Sequence, residues 1–206
     1  MSDYANDEET LEALKNWWDS NGQVVTIGAA LGLVLVLGTN FYTSSHTEML
    51  ESASALYESQ YGEQATSAPS SDPLVADYAG SPYAALASLT DAKQLVAEGS
   101  LETAEQKLLW SAENADQPAV RDQARLRLSR VLLAQNKADE ALLQLKQVSS
   151  DIYGASVEEL RGDIALANDD LETARNAYQG ALTLIDRAIP QHKVVVQLKL
   201  DGLGKL

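Results

Sequence analysis

The chain has 206 residues and a formal net charge of −15, from 15 Lys and Arg against 30 Asp and Glu. That surplus of acid excludes a broad phosphate-binding surface, which needs clustered cations. The absence of Cys excludes disulfides, thiolate metal sites and thioether lipid anchors. His46 and His192 are the two histidines, too few for a His-based zinc site or a hydrolytic triad, so no catalytic, metal or cofactor-binding set is assigned.

Residues 1–22 carry Asp3, Asp7, Glu8, Glu9 and Glu12 and read as an acidic tail. Residues 23–42 contain no Asp, Glu, Lys or Arg. About 20 residues at 1.5 Å each span a hydrocarbon core of about 30 Å. Trp17-Trp18 and Phe41-Tyr42 flank the stretch where interfacial aromatics belong. An acidic leading segment and a run of this length predict a permanent transmembrane helix and not a cleaved signal peptide. Lys15 is the nearby basic residue before the span, and none follows it until Lys93. Cationic residues stay on the cytoplasmic side, so the N-terminus is expected there and the bulk of the chain across the membrane. Gly28 and Gly32 form a small-xxx-small pair that lets a partner's membrane helix approach.

Residues 43–81 are expected to hold a juxtamembrane helix with Leu50, Ala53, Leu56 and Tyr57 on one stripe, then a Pro/Ser-rich linker containing Pro69 and Pro73. Residues 82–206 are self-similar. Ala97-Glu-Gly-Ser-Leu-Glu-Thr-Ala104, Ala134-Gln-Asn-Lys-Ala-Asp-Glu-Ala141 and Ala167-Asn-Asp-Asp-Leu-Glu-Thr-Ala174 each join two helical stretches. Their closing alanines, Ala104, Ala141 and Ala174, lie 37 and 33 positions apart, bracketing the period of about 34 of tetratricopeptide units. Gly162 belongs to the first helix of the third unit, and Ala174, Tyr178 and Ala181 to its second. Residues 190–200 predict a capping helix, although three consecutive valines also suit a strand, and residues 201–206 are expected to fray. The predicted class is all-α: a single N-terminal transmembrane helix, then a tetratricopeptide-like helical-hairpin repeat domain.

Aligned by their junctions, the first helices of two units place Leu86, Leu89, Lys93 and Val96, then Leu126, Arg130 and Leu133, along a common face. Apolar positions interleaved with cations suit a polypeptide client. Packing of the same leucines against neighbouring helices is the competing reading. Acid pairs such as Glu158-Glu159 and Asp169-Asp170 read as solvated helix and turn residues.

The acidic start, Trp17-Trp18, the single span, Tyr83-Ala-Ala-Leu-Ala-Ser-Leu89, Leu126-Arg-Leu-Ser-Arg-Val131, Leu160-Arg-Gly162 and Gln197-Leu-Lys-Leu-Asp201 resemble the YfgM family of ancillary SecYEG translocon subunits. The resemblance covers nearly the whole chain. It implies a bacterial inner-membrane protein with its repeat domain in the periplasm and no enzymatic activity. Implied partners are the SecYEG translocon, the membrane-anchored periplasmic chaperone PpiD and unfolded secretory polypeptides. The implied role is transfer of translocated polypeptides to periplasmic chaperones, with a secondary regulatory role for the tail. A membrane-tethered scaffold that assembles another envelope complex without touching clients is the alternative.

Overall fold

An unbroken helix, α1 (Asp3–Tyr61), begins the computed structural model, which describes residues 3–63, 65, 69–185 and 190–204. The chain divides into two units, Met1–Leu50 and Glu51–Leu206. In the first unit every residue over 23–48 is exposed. Among the described residues, α1 is one helix long and apolar enough to cross a membrane. Its threonine hydroxyls are satisfied internally: Thr26, Thr39 and Thr43 donate to the carbonyls of Gly22, Leu35 and Thr39 at 2.8, 2.9 and 2.9 Å. Lipid offers no hydrogen bonds, so this closure is what hydroxyls need in a bilayer. The helix continues on both sides of residues 23–42, because no proline interrupts it. The tail expected over residues 1–22 is therefore helical from Asp3 onward. The side chains of Asp3, Asp7, Glu8 and Glu9 lie outside the described residues.

In the second unit the last turns of α1 expose one apolar edge to the repeats. Ala53 is buried there with Leu74, Ala84 and Ala87, and Leu56, Tyr57 and Tyr61 pack beside them. The Tyr57 ring stacks on Tyr61 at 4.9 Å and meets Tyr83 at 5.7 Å. The expected Pro/Ser linker is more ordered than its composition implies. It contains a short helix, α2 (Asp72–Asp77), started by Pro73 and anchored by the buried Leu74. Residues 64 and 66–68 of that linker lie outside the described residues.

Three helical hairpins follow: α3 (Pro82–Ala97) with α4 (Leu101–Asn114), α5 (Pro118–Ala134) with α6 (Ala138–Leu145), and α7 (Gly154–Ala167) with α8 (Leu171–Leu184). Pro82 and Pro118 occupy first helical positions, where the missing N–H costs nothing. Each hairpin turns through one left-handed residue at the same place in its motif: Gly99 (φ 79°), Asn136 (φ 63°) and Asp169 (φ 59°). The hydrogen bonds repeat as well. Ser100, Lys137 and Asp170 N–H groups donate back to the carbonyls of Leu95, Leu132 and Ala165 at 2.8, 2.9 and 2.9 Å. These are Schellman caps, which satisfy helix-end carbonyls and demand a residue tolerant of positive φ.

Alanine and leucine then close the array. Leu89, Leu108, Leu128, Leu132, Leu145, Leu160 and Ile164 form a continuous core running from α3 to α7. A second cluster joins Ala174, Tyr178 and Ala181 of α8 to Val196 and Leu203. Val196 lies on α9 (Pro190–Gly202), so the segment that also suited a strand is a capping helix. Residues 201–204 are more fixed than expected: Leu203 is buried against this cluster, while residues 205–206 lie outside the described residues. Among the described residues the regular elements are helices, with no strand.

Candidate functional site

The first helices of successive hairpins, α3 and α5, bound an open cleft of about 330 Å³. Ala92, Lys93 and Val96 line it from α3, Arg127, Arg130 and Val131 from α5, and Leu108 from α4 forms its floor. Val131, Leu108 and Ala92 are buried, whereas Lys93, Val96 and Arg130 are exposed. The result is an apolar base with cationic rims.

Among the described residues Lys93 and Arg130 have no ion-pair partner, whereas Lys137 sits 2.8 Å from Glu105 and Lys199 sits 2.7 Å from both Glu159 and Asp163. Lys107 is paired with Asp72. Arg127 donates from Nη1 to the Leu89 carbonyl at 3.2 Å. Burial lowers the Arg127 pKa, and the neighbouring Arg130 charge lowers it further. Both effects oppose the cation.

Of the residues predicted from sequence, Lys93, Val96 and Arg130 meet in this cleft. Leu86 lies on α3, 38% exposed and away from the cleft lining. Leu89 and Leu126 are each 3% exposed, packed in the core, and contribute no surface. Leu133 is partly buried against the same core. The cleft face of α5 runs through Arg127, Arg130 and Val131, one position round the helix from the face expected through Leu126, Arg130 and Leu133. Arg127 was therefore missed. Its signal was its i, i+3 spacing to Arg130, which places both cations on one side of a helix. On α1, a Cβ at Gly28 or Gly32 would meet nothing within 4 Å, so both positions offer open backbone.

Two buried acids tie segments of the array together. Asp122 on α5 accepts from the N–H groups of Ser149 and Ser150 at 3.1 and 2.9 Å, and from the Ser149 hydroxyl at 3.2 Å. Asp91 on α3 accepts from the Ser71 N–H at 2.7 Å and the Tyr61 hydroxyl at 2.5 Å. Burial, then the bond to Asp91, raises the Tyr61 pKa. A third group fixes α9: His192 Nε2 lies 2.8 Å from Glu159 Oε2, and the Tyr178 hydroxyl donates to Asp163 at 2.8 Å. Burial opposes a charge on Glu159, yet the hydrogen bonds from Lys199 and His192 outweigh it and hold the carboxyl below its usual range. His192 thus serves a carboxylate, and His46 lies parallel to the Tyr42 ring at 6.1 Å. Among the described residues no cluster of three or more His, Asp or Glu is placed to hold a metal ion.

An apolar membrane-length helix leading into hairpins that share one turn geometry defines a helical-repeat protein of the tetratricopeptide type. The chain belongs to the tetratricopeptide repeat-like domain family, whose model matches residues 15–205. It is similar to proteins named ancillary SecYEG translocon subunit. The Escherichia coli (strain K12) relative is 28% identical over 207 residues, covering 99% of this chain and 100% of the relative. The Haemophilus influenzae relative is 28% identical, covering 85% and 88%, and the Aggregatibacter actinomycetemcomitans relative is 27% identical, covering 96% and 97%. These matches bear out the resemblance drawn from the sequence motifs. No solved structure matches the chain.

Proposed function

We propose that the protein is a non-catalytic ancillary subunit of the SecYEG translocon, held in the inner membrane by residues 23–42 of α1. Its repeat domain lies in the periplasm, receives segments of translocated polypeptide in the α3–α5 cleft and releases them to periplasmic chaperones. PpiD is the membrane-anchored chaperone expected beside it. The observation that carries this reading is the near-complete coverage of relatives named as translocon subunits, which takes in the apolar helix and the repeats together. Lys15, preceding the span, supports a cytoplasmic N-terminus. Gly28 and Gly32 supply the face on which a translocon helix docks, since their backbone is open to close approach.

Anchoring changes what the cleft must achieve. A binding site fixed beside an exit channel meets its ligand at high effective concentration, so weak and rapidly reversible contacts suffice. The test is a photo-crosslinking amino acid placed at Val96 and, as control, at the exposed Ile152. During translocation of a model precursor into inside-out inner-membrane vesicles, Val96 is expected to yield a precursor adduct and Ile152 none. Adducts with envelope proteins alone, unchanged by secretion, would favour the scaffold reading.

A further inference from the structure

We propose that the α3–α5 cleft selects acidic-aliphatic segments: a carboxylate of an extended translocating polypeptide sits among Lys93, Arg127 and Arg130, with its aliphatic neighbours on Val96 and Val131. This rests on the client reading above and adds to it a chemical preference.

Three observations converge. First, the lining contains three cations and no acid, in a chain whose net charge is −15. Second, neither Lys93 nor Arg130 has a carboxylate partner among the described residues, unlike Lys107, Lys137, Arg161 and Lys199. Third, Arg127 is partly buried beside Arg130 and directs Nη1 to the Leu89 carbonyl, which fixes the guanidinium with further N–H groups still to be satisfied. Gathering like charges at a half-buried site disfavours each of them unless an anion joins. A guanidinium fork gives a carboxylate geometry as well as charge. The apolar base fixes the rest of the ligand: Leu108 and Val131 offer nothing to a polar chain, and Val96 gives an exposed aliphatic wall. An inorganic anion would leave that base uncovered, and a basic segment would meet repulsion from three sides.

The experiment uses the full chain in lipid nanodiscs and fluorescence anisotropy with three labelled nonapeptides. One alternates Leu and Val with Asp and Glu, the second replaces the acids by Asn and Gln, and the third replaces them by Lys. The acidic peptide is expected to bind about tenfold more tightly than its amide counterpart, the scale of a charge-assisted hydrogen bond, with the Lys peptide weakest. Lys93→Glu with Arg130→Glu should reverse that order. Both side chains are exposed, so helical circular dichroism should be unchanged. Equal binding of the acidic and amide peptides would overturn the proposal while leaving the client reading intact. Loss of the Val96 adduct with precursor, alongside selective peptide binding, would instead remove the client reading. A concentration-dependent dimer abolished by the double charge reversal would assign the cleft to a second copy of this chain and also overturn the proposal.

Discussion

Gly162 on α7 and Tyr178 on α8 occupy a space that admits one side chain: a Cβ on Gly162 would overlap the Tyr178 ring. Tyr178 is fully buried there and donates its hydroxyl to Asp163. Gly162→Ala should therefore destabilise the repeat domain by about 1–3 kcal/mol, the usual cost of overpacking. Tyr178→Ala combined with it should cost less than the two separate losses added together. Urea denaturation followed by circular dichroism measures both.

Gly99 has open space around its Cβ position, so its requirement is purely one of backbone conformation. Gly99→Ala should cost about 1 kcal/mol, because a left-handed conformation is unfavourable for a side chain with a Cβ. Gly99→Asn should cost less, since Asn136 already serves at the equivalent turn. Gly99→Val should cost most. The same denaturation series ranks them, and equal midpoints for Ala and Asn would contradict the turn argument.

Docking of α9 should depend on pH at both extremes. The Glu159 pKa is lowered in the folded chain, so its stabilisation is present above the ordinary carboxylate value and fades as pH falls through and below about pH 4. Burial opposes the charge on Lys199, but Asp163 and Glu159 outweigh it and raise its pKa. Its contribution is thus present below the ordinary lysine value and lost as pH rises beyond about 10.4. Hydrogen exchange of α9 amides should accelerate in both windows before the rest of the domain. Lys199→Met, which takes the shared cation away from Glu159 and Asp163, should weaken the domain by about 1–3 kcal/mol at neutral pH.

Asp122→Ala should release the segment after α6. It removes three hydrogen bonds to Ser149 and Ser150 from a fully buried acceptor. The expected cost is about 2–4 kcal/mol, with faster limited proteolysis near residue 149 than elsewhere. Proteolysis that starts at the hairpin turns instead would contradict this.

Alkaline carbonate should leave the chain in the membrane pellet. Leu33→Asp with Leu35→Asp should shift it to the supernatant, because each acid at the centre of a span costs about 2.5–3.5 kcal/mol of insertion free energy.

The hairpins were legible because their determinants are local. An alanine, a residue that accepts positive φ and a second alanine recur within eight positions, and nothing distant has to be known to place the turn. Gly162 and Tyr178 were visible for the same reason, being partners within one unit. The cleft register was not legible on α5, where Leu126 and Leu128 are both buried together with Ala124, Val131 and Leu132. A helix covered on several sides has no single apolar stripe to mark its outer face. Asp91 and Asp122 were likewise opaque, since their partners lie some 20 to 30 positions along the chain and only packing brings them together.

Each of the three reversals is closed by backbone bonds confined to six successive residues, Leu95 to Ser100 being the first. A hairpin can therefore complete its own corner as soon as its second helix has been synthesised, before any later unit exists. The growing polypeptide would hide its alanine and leucine seams stepwise, from α3 towards α9, and present little sticky surface at any moment of its own birth.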